Sequence, residues 1–304
     1  METSQLNNAL SDVTEDQLSH LGRMANRILA GRPFAFRGHS PRGHNSGRGM
    51  EFLDFRDYSP GDDLRHINWR ASARSHYPLI QRYHEETASH WTICLDTSAS
   101  MAIGNKWTLA IQLAASFAYL ILQQENQIGL LAFNDQLQAI CSPGRGRLQY
   151  GKIRRQLQTL LPLHAGGNSS LQLCGKSIKR GSSLIIISDF LTPDGMQSDL
   201  DYLKTFTDSI HNLQVTSHNE FKLRENSESS GQSHIIQDIE SKKTFQINQE
   251  TAEQLATQRL QKLQKNLRRY CQRHGMPYTN CTVGQSWHQI MKQHLQMFYQ
   301  RPGR

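Results

Sequence analysis

A chain of 304 residues carrying a net charge of +8 is long enough for one large domain with an appendage and can bury a substantial core without covalent staples. Its five cysteines, Cys94, Cys141, Cys174, Cys271 and Cys281, are odd in number and form no C-x-x-C pair, which argues against a disulfide framework or a zinc ribbon and leaves packing as their expected role. The first residues lack an export-signal pattern and no apolar run reaches the roughly 18 residues of a membrane span, so a cytoplasmic protein is expected.

In chain order, Leu18, Leu21, Met24, Ile28 and Leu29 recur at helical spacing and predict an amphipathic helix over Glu15 to Leu29, ended by Gly31-Arg32-Pro33. A glycine, arginine and histidine loop follows from Gly38 to Gly49, and the segment to about Glu86 reads as irregular and partly β. From Trp91 the pattern becomes regular. Strands are predicted at Trp91 to Leu95, Ile128 to Phe133, Ser183 to Ile187, Leu213 to Thr216 and Tyr278 to Val283, with a short strand at Leu137 to Cys141 joined to its predecessor through the turn Asn134-Asp135-Gln136. Helices are predicted over about Lys106 to Gln124, Leu148 to Leu161, Leu171 to Lys179, Leu200 to Ser209, Glu250 to His274 and Ser286 to Phe298, and a polar hairpin insert lies around Glu220 to Ile247.

Apolar strands alternating with helices specify an α/β, Rossmann-like domain: a mostly parallel sheet with helices on both faces and one antiparallel edge strand, Leu137 to Cys141. The expected division is residues 1–88 as an N-terminal helix and appendage, and 89–304 as the α/β domain with its insert near 220–248. The positive charge is uneven: nine Lys or Arg and no acid follow Glu253, and Leu18 to Met50 holds six arginines and no acid. Such blocks attract nucleic acid, anionic lipid or acidic protein surfaces, although a solvated helix face and a loop explain them as simply.

In sheets of this kind ligands bind beyond the carboxyl ends of the strands. There the first strand runs into Asp96-Thr97-Ser98-Ala99-Ser100, the strand at Ile187 into Ser188-Asp189, and the intervening loop holds Gly166-Gly167-Asn168-Ser169-Ser170. Carboxylates and hydroxyls from three loops make an all-oxygen site suited to Mg²⁺, with Ca²⁺ or Mn²⁺ as competitors, rather than to zinc or copper. Hydroxyl ligands leave much of the ion's charge uncompensated, so an acidic partner group can fill an open coordination position. The simpler alternative is that Ser98 and Ser100 only satisfy backbone groups at a turn and a helix start.

The series Asp96-x-Ser98-x-Ser100, a later hydroxyl loop and Asp189 resembles the metal-ion-dependent adhesion site of von Willebrand factor type A domains. That resemblance implies metal ligands at Asp96, Ser98, Ser100 and Asp189, with Ser169 the nearest equivalent of the family's loop-two threonine and Asn168 or Ser170 as alternatives. Upstream, Gly49-Met50-Glu51-Phe52, Arg56, Tyr58-Ser59-Pro60-Gly61-Asp62-Asp63, Arg65, Trp69 and Ala71-Ser72-Ala73-Arg74 resemble the bacterial family known as domain of unknown function fifty-eight, in which such a block directly precedes a type A domain. In that block Pro60-Gly61 sets a tight turn, and Asp62 and Asp63 are expected to form a carboxylate and guanidinium network with Arg56, Arg65 and Arg74, fixing the appendage against the sheet. A partner-recognition surface is the alternative role for these residues.

Other motifs fail on inspection. Gly146 to Lys152 has P-loop spacing, but Ile153 stands where a Ser or Thr is needed; His84-Glu85 opens an H-E-x-x-H pattern that His90 closes two residues too late; no G-x-S-x-G elbow exists. The expectation is therefore a non-enzymatic interaction or assembly factor binding an acidic partner group through its metal site. The family resemblance implies a MoxR-type AAA+ ATPase as partner, acting on an unidentified client protein complex. Nucleic-acid binding through the basic segments and metal-dependent phosphoester hydrolysis through Asp96 and Asp189 are the alternatives.

Overall fold

The computed structural model describes residues 10–29, 46–75, 77–84, 89–162, 170–192, 196–217, 234–237, 244–247 and 249–299. It divides into two compact units, residues 40–88 and the remainder of the chain. The elements in order are α1 (Glu15–Leu29), β1 (Ser46–Asp57), α2 (Trp69–Ser75), β2 (Leu79–His84), β3 (His90–Asp96), α3 (Lys106–Gln123), β4 (Gln127–Phe133), β5 (Leu137–Gly144) and α4 (Gly146–Thr159). They continue as α5 (Gln172–Gly175), β6 (Ser182–Ser188), α6 (Gln197–Lys204), β7 (Thr207–Thr216), β8 (His234–Gln237), β9 (Thr244–Ile247), α7 (Gln249–Arg273), β10 (Tyr278–Thr282) and α8 (Trp287–Tyr299).

The larger unit is built on a six-stranded sheet of order β10-β7-β6-β3-β4-β5, parallel throughout except for the edge strand β5. Both faces of each central strand are buried, which is why these segments read as unbroken apolar runs instead of alternating ones. On β3, Trp91, Ile93 and Leu95 join one core while Cys94 joins the other. The first core is dominated by α3, whose residues Leu109, Ile111, Leu113, Phe117, Leu120 and Ile121 are all buried. It is enclosed by the sheet and by α1, α4 and α8. The second core gathers Leu171 and Cys174 beside α5, Leu200 and Leu203 of α6, and Leu267 and Cys271 of α7. All five cysteines are free thiols and four are buried, consistent with packing.

Three elements depart from expectation. The opening helix belongs to the α/β unit and not to the appendage: Leu18, Leu21 and Ala25 are fully buried in the α3 core, so the division falls at residues 40 and 88 and not at 88 alone. Its N-terminus carries a reciprocal cap, Thr14 N–H to Gln17 Oε1 at 3.2 Å and Gln17 N–H to Thr14 Oγ1 at 3.3 Å. The helix predicted over Leu200 to Ser209 stops at Lys204, because Thr207 already pairs with Ser182 and begins β7. The helix predicted over Leu171 to Lys179 is the single turn α5. Among the described residues of α7, Leu267 and Cys271 are buried in the second core with Tyr270 packed against it, while Leu255 is exposed. A 25-residue helix outruns a five-residue strand, since the rise of each fixes their lengths at about 37 and 17 Å. Of the hairpin insert, β8 and β9 form an antiparallel pair, and residues 218–233 and 238–243 lie outside the described residues.

The smaller unit is an antiparallel pair, β1 with β2. Ser59-Pro60-Gly61-Asp62 closes a tight turn, Asp62 N–H to Ser59 O at 3.0 Å with Gly61 at φ 106°, a conformation that needs glycine. Among the described residues the expected ionic network is reduced to one pair. Arg56 donates to Asp62 Oδ1 at 2.7 Å, and the Ser59 N–H donates to the other oxygen, so the Ser59 amide first and the Arg56 guanidinium second hold the Asp62 carboxyl below its usual range. Asp63 instead accepts from the backbone N–H of Arg65 and caps a short 3-10 turn, and neither Arg65 nor Arg74 pairs with a carboxylate among the described residues. Tyr58 enters through its backbone, donating to Pro78 O, and Trp69 is exposed at the start of α2.

If α1 is a structural member of the α/β unit, Leu21→Ala removes a fully buried side chain from its core and lowers unfolding stability by about 2–5 kcal/mol. Urea denaturation measures this; a loss within error of zero would return α1 to the appendage.

Candidate functional site

β3 is followed along the chain by its neighbour on one side, β4, while its neighbour on the other side is β6. The connections therefore turn in opposite directions at the β3/β6 boundary, and such a switch point, at the carboxyl ends of the strands, is where sheets of this kind bind ligands. Asp96 ends β3 and Asp189 directly follows β6, so the two residues flank that switch point. Both are buried.

The turn after β3 folds back on its own carboxylate. Asp96 Oδ1 accepts the Ser98 N–H at 2.9 Å, Asp96 Oδ2 accepts the Ser188 hydroxyl at 2.6 Å, and the Ser98 and Ser100 hydroxyl oxygens are 3.0 Å apart. Asp96, Ser98 and Ser100 are thus brought together directly. Ser169 lies outside the described residues together with Gly166, Gly167 and Asn168; Ser170 donates its N–H to Asn134 O at the end of β4.

Asp189 is fixed from several sides. Its backbone carbonyl accepts from Gln214 Nε2 at 2.9 Å, its Oδ1 from the Leu191 N–H at 3.2 Å, and its Oδ2 from Lys106 Nζ at 2.6 Å. Phe190 follows with φ 56°, a left-handed conformation that is strained for an aromatic residue and that persists at sites where the surrounding structure enforces it. The Lys106 side chain is 0% exposed and that of Asp189 3%. The helix carrying Lys106 is aimed by two consecutive left-handed residues, Gly104 and Asn105, both at φ 61°. Gly104 also passes so close to Ser217 that a Cβ would lie 2.4 Å from the Ser217 hydroxyl oxygen.

Burial first, and then the charge of Asp189, push the Asp96 carboxyl up to about 6, against hydrogen bonds from Ser188 and Ser98 that favour its charged form. Sequence reasoning did not find Lys106 or assign a role to Ser188. The available signal for Lys106 was its place in the first turn of a helix, where a cation is disfavoured. Among the described residues no three His, Cys, Asp or Glu side chains cluster around a common point, so a hard cation at this site would draw its donors from Asp96, Asp189 and the hydroxyls of Ser98 and Ser100.

The family model described as protein of unknown function DUF58 matches residues 54–268. Uncharacterized protein Rv1480 of Mycobacterium tuberculosis is 28% identical over 155 residues, 48% of this chain and 49% of that protein, so the chain spans about half the length of the curated relatives it matches. Among solved structures, an aerotolerance-related membrane protein from Bacteroides fragilis aligns over 68% of this chain and 98% of its own, with a TM-score of 0.42 and 12% identity. The VWA domain of SpRpn10 aligns over 45% and 79%, with a TM-score of 0.29 and 12% identity. The architecture is α/β, a mostly parallel sheet between helical layers. No helix among the described residues is long and apolar enough to cross a membrane.

The raised Asp96 carboxyl predicts the pH dependence of stability in metal-free buffer. A proton held more tightly in the folded chain, with a value of about 6 against 3.8 for an unperturbed carboxyl, contributes stability that is complete below 3.8 and is lost as pH rises through 6. Asp96→Asn removes that loss, so the variant is more stable than the parent at neutral pH while the two converge in acid. Parallel curves in urea unfolding at a series of pH values would contradict the assignment.

Proposed function

The chain belongs to the family described as protein of unknown function DUF58, and on that premise we propose that it is a non-enzymatic interaction protein whose β3/β6 switch point binds an acidic group of a partner with the help of a divalent cation. The observation that supports this reading is that Asp96 accepts from the Ser98 N–H beside the Ser100 hydroxyl at the end of β3, while Asp189 directly follows the adjacent strand β6. The donor chemistry fits the ion. Two carboxylates and two hydroxyls are hard oxygen ligands, suited to Mg²⁺ and also to Ca²⁺ or Mn²⁺. Bound there, the cation would supply an electrophilic position that a partner's carboxylate can complete.

The chain's own residues set the rest. Ser188 and the Ser98 N–H hold the Asp96 carboxylate in place, and Gln214 holds the Asp189 backbone, so the donors are oriented before any partner arrives. In α7 the basic residues Arg259, Lys262, Lys265, Arg269 and Arg273 are exposed while Leu267 and Cys271 face the core, a solvated face that does not need nucleic acid to explain it. The resemblance noted from the sequence makes a MoxR-type AAA+ ATPase, acting on a client protein complex, the first partner to test.

Purified full-length protein is incubated with a MoxR-type ATPase of the same organism and crosslinked, in Mg²⁺ and in chelator. Capture that needs Mg²⁺ and is lost in Asp96→Asn is the expected result. Equal capture with chelator and from the variant would remove the metal-dependent mechanism, and no capture under any condition would remove this partner.

A further inference from the structure

Lys106 is the one group at this site that an all-oxygen cation pocket does not call for. It is the first residue of α3, its side chain is completely buried, and its ammonium stands 2.6 Å from Asp189 Oδ2. Two separate penalties act against it there. An ammonium loses its hydration on burial, and the N-terminus of a helix, with its free N–H groups and the positive end of the macrodipole, is the least favourable end for a cation. An apolar side chain at this position would escape both.

What offsets these penalties is the pair of buried carboxylates across the switch point. Asp96 ends β3 and Asp189 directly follows the adjacent parallel strand β6, both buried, so two carboxylates are gathered at one edge of the sheet where a cation is favoured. A divalent ion supplies such compensation from solution; Lys106 supplies it from within the chain.

We propose that Lys106 is the resident cation of this site, compensating Asp96 and Asp189 when no divalent ion is bound and, by holding Asp189 Oδ2, lowering the affinity with which the site takes one up. The inference rests on the metal-dependent reading given above and deepens it. Counting Lys106, Asp96 and Asp189 alone, two negative charges face one positive charge, and a divalent ion turns that balance from net negative to net positive. With a neutral residue at 106 the loaded site would be neutral. The lysine therefore makes cation binding weaker and reversible while leaving the loaded site more attractive to an acidic partner.

Titration of full-length protein with Mn²⁺, with free ion followed by electron paramagnetic resonance, compares the parent, Lys106→Met and Asp96→Asn. The expectation is weak binding by the parent, binding tighter by roughly tenfold or more in Lys106→Met, and loss of binding in Asp96→Asn. A folded Lys106→Met that binds no tighter than the parent, with binding still lost in Asp96→Asn, overturns the role of Lys106 and leaves the metal reading intact. Binding undiminished in Asp96→Asn overturns the metal reading itself and this inference with it.

Because Lys106→Met leaves two buried carboxylates together and can fail to fold, the parent provides a second readout. In uniformly nitrogen-labelled protein, the slowly exchanging Lys106 ammonium resonance and the Ser98 amide are followed while Mg²⁺ is added. Both resonances moving together supports the inference. A Ser98 shift with an unmoved ammonium overturns it, and two unmoved resonances overturn the metal site.

Discussion

A lysine ammonium sealed inside the protein against an aspartate carboxylate constrains everything around it. Lys106 and Asp189 lie 83 residues apart in sequence, one opening the central helix and the other following the third strand of the parallel series. Their pairing ties the start of α3 to the end of β6, and the turn bearing Ser98 and Ser100 is strung between β3 and that helix start. The pair is not a simple source of stability, since both charges had to be stripped of water. Removing one partner alone, however, would leave the other charged and buried, a loss of about 3–5 kcal/mol in comparable cases.

The rest of the site follows from how rigidly the two ends of this pair are carried. The buried faces of α3 lie against the sheet and three other helices, so its first turn has little freedom to drift. On the other side, the Asp189 backbone is held by Gln214 on β7, and the chain leaves through Phe190 in a left-handed conformation. Strain of that kind survives only where neighbouring contacts over-determine the backbone. The hydroxyls and carboxylates at the switch point are therefore set in advance, which suits recognition of a group brought by a partner.

Much of this was legible in the sequence, for physical reasons that differ by element. The strands of the parallel sheet are buried on both faces, so their apolar runs stand out, and the antiparallel edge strand announced itself through Asn134-Asp135-Gln136. The aspartate and serines after β3 could be placed at the carboxyl edge because strand direction dictates where loops gather. Lys106 was not legible, since burial of a long polar side chain depends on a partner 83 residues away and leaves no local periodicity. The membership of α1 in the α/β core was hidden in the same way: an amphipathic helix shows that it has a partner without showing which. The end of α6 was misplaced because helical propensity carries past Lys204, whereas pairing of Thr207 with Ser182 decides the boundary. In the smaller unit the turn at Pro60-Gly61 was fixed by local chemistry, but guanidinium partners are not, and among the described residues Arg56 alone of the three arginines pairs with an aspartate.

The central claim is that Lys106 and Asp189 form one energetic unit inside the α/β core. A double-mutant cycle measures it most directly, with Lys106→Met, Asp189→Asn and the combined variant unfolded by urea in metal-free buffer at neutral pH. The account predicts that each single change is strongly destabilising and that the double variant recovers a large part of the loss, with a coupling of roughly 2–3 kcal/mol. Additive losses, with no recovery in the double variant, would contradict it.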